Sequence, residues 1–188
     1  NLSQGTRSEA ISLGELEVTE RAAAGLERTG NPRWDRLVAN FGQRVGVDRV
    51  VVRGGGETRT AVWEEPIDLE PGDSLEVVIT WRCLAPIEES YTVFVHLMDG
   101  ANQVWDQVDY TPLGGSYPTH LWIPKWLPGQ KALDPYRLTI PPGAPPGDYY
   151  VEIGLYAMTS RQRSYQYDRT GDLVGARLVL GPIRVGGA

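Results

Sequence analysis

The sequence predicts an all-β fold: an antiparallel β-sandwich, immunoglobulin-like or jelly-roll-like, with about nine strands and at most one short helix. Three observations lead to this prediction. Apolar and polar residues alternate with a period of two in several runs. The 188 residues include 22 glycines and 14 prolines, which is typical of a chain with many turns. A helical pattern occurs only at residues 20–27, where Gly25 and Gly30 keep it short.

The predicted strands cover residues 11–18, 44–52, 58–63, 74–82, 91–98, 102–110, 137–140, 149–156 and 177–185. The clearest covers 74–82, whose apolar members share one face: Leu75, Val77, Ile79 and Trp81. A Pro-Gly-Asp turn precedes this strand at 71–73 and recurs at 146–148 before the strand at 149–156. We therefore expect the two strands to begin in the same way.

The remaining strands are predicted from their turns and faces. The run 91–98 is apolar on both faces and is expected to be central in a sheet. Its hairpin partner, 102–110, places Val104 and Val108 opposite Trp105, Gln107 and Asp109. The three glycines at 54–56 are interpreted as a hairpin loop, and Gly181-Pro182 is expected to interrupt the last strand.

Length and composition favour a single domain over residues 1–188, with an N-terminal strand and short helix or loop at 1–39 and the sandwich body at 40–185. The net charge of −6 argues against a basic nucleic-acid binder. A membrane-spanning helix needs about 20 consecutive apolar residues, and no run approaches that length, so direct membrane insertion is not expected. The first ten residues lack a signal-peptide pattern, which suggests a mature product or an excised domain.

The sequence lacks the residue constellations of common enzymes, and no enzymatic activity or cofactor is expected of the chain itself. The two histidines, His96 and His120, lie in no recognisable catalytic motif. Neither a G-x-S-x-G motif nor a P-loop is present. Two histidines and Cys83 do not supply a zinc site, and Cys83 is expected to be a small buried side chain.

Acidic residues offer weaker alternatives. The pairs Glu64-Glu65 and Glu88-Glu89 could flank a cleft as in a glycosidase, but the adjacent prolines favour solvated strand ends. Four further residues could donate oxygens to calcium, without EF-hand spacing: Asp99, Asn102, Asp106 and Asp109. Turn chemistry explains the first of these more simply, so no metal site is predicted.

The long loop predicted at 111–133 and the strand before it carry an unusual density of aromatic side chains. Aromatic rings stack on the C–H faces of sugars, and nearby polar side chains bind hydroxyls. The predicted ligand-binding residues are Trp105, Asp106, Gln107, Tyr110, Tyr117, His120, Trp122 and Trp126. The alternative interpretation is that these rings pack the loop over one end of the sandwich.

An ordered series of segments resembles a known group of domains. The segments are 39–42 (ANFG), 69–75 (LEPGDSL), 91–97 (YTVFVHL), 112–115 (PLGG), 141–149 (PPGAPPGDY) and 151–156 (VEIGLY). The series is similar to the trailing sandwich domains of certain bacterial polytopic membrane glycosyltransferases, whose relatives resemble dolichyl-phosphate-mannose protein mannosyltransferases. The resemblance covers roughly residues 40–185, and the chain departs from it at 119–131.

This resemblance implies a setting and no catalytic residue. In such proteins the membrane portion transfers the sugar, and that portion is not in this sequence. The domain is then expected to be a non-catalytic accessory module outside the cytoplasmic membrane or at the cell surface. Its expected partners are a glycan or the membrane portion of a parent glycosyltransferase. The sequence-based alternative is a carbohydrate-binding module that uses the aromatic loop.

Overall fold

The computed structural model of the chain describes residues 36–61, 63–87, 89–112, 127–168 and 170–187, and these residues form an all-β sandwich. Its twelve strands are β1 (Ala39–Phe41), β2 (Val45–Gly54), β3 (Glu57–Thr60), β4 (Ile67–Leu69), β5 (Ser74–Cys83), β6 (Tyr91–Asp99), β7 (Val104–Tyr110), β8 (Lys131–Thr139), β9 (Gly147–Ala157), β10 (Gln166–Tyr167), β11 (Leu173–Gly175) and β12 (Leu178–Val185). No α-helix occurs within these ranges. The predicted fold class is confirmed.

The strands form two sheets. One is seven-stranded, in the order β11-β10-β1-β2-β5-β8, with β3 paired to β2; the other is five-stranded, in the order β4-β12-β9-β6-β7. The pairing is antiparallel with one exception, because β4 runs parallel to β12, with Ile67 opposite Ile183. The predicted antiparallel sandwich thus has one parallel pairing among its described strands, at the edge formed by β4.

The core lies between the two sheets. Alternate residues of β5 are buried there, and all four apolar side chains predicted for this face are at most 1% exposed. In the opposite sheet, β9 contributes Tyr149, Val151 and Ile153 to the same core. The period of two in the sequence thus identifies the inward face of each central strand.

Strand β6 is central in the five-stranded sheet, between β9 and β7, as its two apolar faces predict. Residues Thr92 to Met98 are all buried, on the outward face as well as the inward face. Side chains must therefore cover the outside of this sheet, and they form the candidate site described below.

The glycine hairpin is confirmed. Gly54 is opposite Glu57, which leaves Gly55 and Gly56 as a two-residue loop with φ of 56° and 77°. Such a loop requires left-handed conformations at both positions. A Cβ on Gly55 would also lie 2.5 Å from the backbone oxygen of Asp68, so no larger residue fits there.

The prediction for the faces of β7 is wrong because the strand contains a bulge. The register shifts between Leu97 and Met98, so that Leu97 is opposite Asp106 and Met98 is opposite Val104. Trp105 is the extra residue, and its ring packs against the core while Val104 is 41% exposed. Val104 and Val108 therefore do not share a face, since a bulge inverts the alternation.

Strand β8 begins at Lys131, six residues before the predicted start, so the loop predicted at 111–133 ends earlier than expected. The sequence did not reveal the alternation of apolar and polar residues in β8, because an acid, Asp134, occupies a core position and Pro135 follows it. Proline is tolerated because β8 is an edge strand of its sheet. The four strands missing from the prediction, β1, β4, β10 and β11, have two or three residues each, too few to show a period.

The other sequence predictions fare as follows. The register of β12 shifts between Leu180 and Ile183, which confirms an interruption at the cis Gly181-Pro182 bond. The strand at 11–18 and the helix at 20–27 lie outside the described residues, so they and the single-domain prediction stay predictions. Where residues are described, the structure contains no helix of the length and apolarity needed to span a membrane.

Cys83 is 1% exposed in the core, as predicted for a small buried side chain. Burial raises the pKa of its thiol to about 11, and a smaller backbone contribution from Ala85 acts in the opposite direction. The thiol is thus protonated and inert at neutral pH.

Candidate functional site

The outward face of the five-stranded sheet carries a row of side chains that crosses four strands. The register places four residues opposite one another in turn: Val179 on β12, Glu152 on β9, His96 on β6 and Gln107 on β7. Directly opposed residues point to the same side of a sheet. Because the chain neighbours of Glu152, Val151 and Ile153, are fully buried in the core, the row points away from the core.

The Glu152 carboxylate binds two arginines. Arg163 donates to Oε1 at 2.7 Å, and Arg177 donates to Oε2 at 3.0 Å. The Glu152 side chain is 4% exposed, whereas the two arginine side chains are 45% and 36% exposed. A buried carboxylate is costly unless it is paired. Glu152 therefore anchors two guanidinium groups that still reach solvent.

Arg163 is also held by an aromatic ring. Its guanidinium carbon lies 4.4 Å from the centroid of the Phe94 ring, a cation–π distance. The ring lies across Gly154, because a Cβ at that position would be 2.2 Å from the ring edge. Tyr156 stacks beside it, with ring centroids 6.3 Å apart and planes inclined by 19°. Glycine at position 154 thus makes room for the ring that orients Arg163.

His96 completes this arrangement. Its Nε2 lies 2.7 Å from Oδ1 of Asp109, while its Nδ1 is buried and has no hydrogen-bond partner. The residue is 8% exposed. We call these six residues the Glu152 cluster: Phe94, His96, Asp109, Glu152, Arg163 and Arg177. The cluster lies on the outside of the sheet, where the two arginines reach solvent above the buried Phe94, His96 and Glu152 side chains.

Four of the predicted binding residues lie on β7, and the structure does not bring them to one surface. The Trp105 Nε1 donates to Asp99 at 3.0 Å, and its ring meets Tyr149 edge-on. The two oxygens of Asp106 accept hydrogen bonds from the backbone N–H groups of Gln107 and Thr139. Both side chains are thus engaged in the fold.

The other two predicted residues of β7 are accessible. Gln107 is exposed and belongs to the outward row, whereas Tyr110 is 55% exposed at the end of the strand. The remaining predicted residues lie outside the described part of the chain: Tyr117, His120, Trp122 and Trp126. A binding surface on the aromatic loop therefore stays a prediction.

The acidic alternatives include Glu88, which lies outside the described residues, and several described side chains with ordinary partners or solvent exposure. Hydrogen bonds from Trp105 Nε1 and the Gln103 N–H hold the pKa of Asp99 below its usual value. Glu64 and Glu65 are exposed, and Glu89 accepts a hydrogen bond from the Tyr91 hydroxyl. Across the described ranges, no group of three or more histidine, cysteine or acidic side chains is placed to hold a metal ion.

Sequence reasoning missed most of the Glu152 cluster. Glu152 was recognisable as the single charge in the apolar run 149–156, which signals a need for partners. Its partners Arg163 and Arg177 lie 11 and 25 residues away in irregular segments without periodicity. Only the strand register brings these groups together.

Comparisons with known proteins are limited to a distant structural likeness. No protein-family model matches the chain, and no significant match was found among curated proteins. The chain is similar to the crystal structure of the C-terminal domain of Wzt, with a TM-score of 0.45 and 8% sequence identity, over 77% of this chain and 74% of that chain. At this identity no residue role can be carried across.

Proposed function

We propose that the chain is a non-catalytic accessory β-sandwich that binds a glycan on the outward face of its five-stranded sheet. The observation that carries the proposal is the Glu152 cluster, where polar side chains are fixed beside aromatic rings before any ligand arrives. Preorganised polar groups bind a ligand without the cost of ordering them at that moment. Hydroxyl-rich ligands are recognised by such groups together with ring faces.

The setting of this module is part of the same proposal. We place it outside the cytoplasmic membrane, attached to a membrane glycosyltransferase or to another cell-surface protein. The support is the ordered resemblance of segments 69–75, 91–97 and 141–149 to the sandwich domains of such enzymes. In that setting the module would hold a glycan, or the membrane portion of the parent, near the site of transfer.

The test is a titration of the chain with soluble glycans and cell-wall polysaccharides, followed by tryptophan fluorescence and calorimetry. We expect saturable binding that Gln107→Ala and Glu152→Gln each weaken at least tenfold. Glu76→Gln, which removes the same charge from the other sheet, serves as the matched control.

Two outcomes would contradict this placement. Loss of binding only in Trp122→Ala and Trp126→Ala would assign the ligand to the aromatic loop. Absence of binding across the panel, with the fold intact by circular dichroism, would reject glycan recognition by this chain.

A further inference from the structure

We propose that the Glu152 cluster selects acidic glycans, with a sugar carboxylate bound by Arg163 and Arg177. This inference rests on the proposed function and adds the chemical class of the ligand. The two guanidinium groups are neighbours because the two oxygens of one carboxylate hold them. The charge and the geometry of the arginines support an anionic ligand, and an unpaired acceptor on His96 supports a hydroxyl on the same ligand.

The local charge is positive although the chain is acidic. Arg163 and Arg177 face the single charge of Glu152, and Arg161 lies 5.6 Å from the centroid of the Tyr156 ring on the same side. Asp109 is the other acid of the cluster and contacts His96. Three guanidinium groups thus meet two carboxylates, in a chain whose net charge is −6. A patch of opposite sign concentrates anionic ligands.

Both arginines keep guanidinium N–H groups that do not contact Glu152. Glu152 engages only Nη1 of each, and Arg177 adds a hydrogen bond from Nη2 to Oδ1 of Asn102 at 2.8 Å. Arg163 makes no second hydrogen bond within the described residues, and its side chain is nearly half exposed. A guanidinium fixed by an aromatic face presents its remaining donors in a planar fork, which fits a carboxylate.

His96 supplies an independent observation. When its Nε2–H donates to Asp109, its Nδ1 is a hydrogen-bond acceptor, and this atom is buried without a partner. Such a group is costly to leave unpaired. His96 lies beside Glu152 in the outward row, so a hydroxyl next to the sugar carboxylate would supply the missing donor. A uronic acid carries both groups on one ring.

The test compares each acidic oligosaccharide with its carboxyl-reduced counterpart, which keeps the backbone and loses the charge. The probes are oligomers of galacturonate, of alginate and of hyaluronan, titrated into the 188-residue chain by calorimetry at low and moderate salt. We expect at least one acidic member to bind tenfold or more tightly than its reduced form. We also expect this advantage to shrink as salt rises.

Variants assign the effect to the cluster. Arg163→Gln and Arg177→Gln should each remove the preference for the acid, and Arg177→Lys should restore it only in part, since lysine keeps the charge without the fork. Arg49→Gln removes an equal charge from an exposed position in the other sheet and should change nothing. Thermal melting checks that each variant is folded.

The outcomes separate this inference from the proposed function. Equal binding of the acidic and reduced forms, or binding of neutral glycans alone, would leave glycan recognition in place and overturn the selection for acid. A preference that survives both glutamine variants would overturn the assignment to these arginines. Failure of every acidic and neutral glycan to bind would reject both proposals.

Discussion

At the scale of single residues, Asp134 has the least exposed side chain of the described acidic residues. Its carboxylate is fully buried in the core and accepts hydrogen bonds from Trp81 Nε1 at 3.0 Å and from the Tyr136 hydroxyl at 2.6 Å. A buried carboxylate depends on such donors. Burial, followed by the charge of Asp134 and the hydrogen bond to it, raises the pKa of Tyr136 far above its ordinary value. The Tyr136 hydroxyl thus keeps its proton in the folded chain far into the alkaline range.

The Tyr136 proton makes the free energy of unfolding depend on pH in the alkaline range. The unfolded chain loses the Tyr136 proton above pH of about 10, while the folded chain keeps it, so the free energy of unfolding should fall as pH rises above that value. The raised pKa values of Cys83, about 11, and Tyr91, about 12, act in the same direction. We expect Tyr136→Phe to cost about 1–3 kcal/mol at pH 8 and to reduce the alkaline slope.

Urea unfolding at several pH values from 8 to 11.5 measures both effects. Tyr110→Phe, at an exposed position, is the matched control and should change the unfolding free energy by less than about 0.5 kcal/mol. An unchanged slope in Tyr136→Phe would contradict the assigned role of Tyr136.

Prediction of single residues from the sequence succeeded where the side chain follows the alternation of apolar and polar residues in its strand. Trp81 and Cys83 were assigned to the core by alternation, and both are 1% exposed. Asp134 could not be assigned, because an acid in a core position looks like a loop residue until its donors are known. The partners of Glu152 were hidden for a related reason, since ion pairs between distant segments leave no local pattern.

At the scale of elements, the edge strand β7 of one sheet lies next to the edge strand β8 of the other. Each is the last strand of its sheet, and unpaired edge groups invite aggregation. Asp106 on β7 crosses the gap and accepts a hydrogen bond from the Thr139 N–H of β8 at 2.6 Å. Among the described residues, this hydrogen bond links the edge strands of the two sheets.

We expect Asp106→Ala to speed hydrogen exchange at the Thr139 amide at least tenfold and to lower the unfolding free energy by about 1–2 kcal/mol. Asp106→Asn keeps one oxygen acceptor and should have a smaller effect. Gln107→Ala, one residue along the same strand, is the control. Exchange at Thr139 that does not respond to Asp106→Ala would show that another group protects this edge.

Predictions for whole elements depended on strand length and regularity. All eight strands predicted within residues 36–187 are present, because each has a continuous alternation or a recognisable turn. The short strand predicted at 137–140 is the end of a nine-residue strand whose first half is disguised by Asp134 and Pro135. Strands of two or three residues form because neighbouring strands hold them, and their own residues carry no signal.

At the scale of the whole molecule, the two sheets present different outer faces. The five-stranded sheet carries the Glu152 cluster, whereas the seven-stranded sheet carries a shallow groove of about 370 Å³, lined in part by Arg53, Glu76 and Arg137. These three residues lie directly opposite one another on β2, β5 and β8. The two outer faces thus differ in their charged side chains, which the proposed glycan binding on the five-stranded sheet can use to discriminate between them.

The proposed accessory role predicts the effect of removing residues 36–187 from a larger protein that carries them. We expect the parent to lose abundance, assembly or transfer to its natural glycan, while protease added outside intact cells should cleave the domain in the unmodified parent. Glu152→Gln in the full-length protein is the control that separates ligand binding from folding. Unchanged abundance, assembly and transfer after the deletion would contradict an accessory role.

The burial of Cys83 has a practical consequence for labelling the chain with spectroscopic probes. It is the one cysteine in the sequence, and its thiol is both inaccessible and protonated at neutral pH. A maleimide dye or spin label should therefore react only with a second cysteine introduced at the surface, and Cys83 need not be replaced. Position 179 is suitable for such a probe, because Val179 is 39% exposed and directly opposite Glu152. In the folded chain, a single introduced cysteine can therefore be labelled without any other change to the sequence.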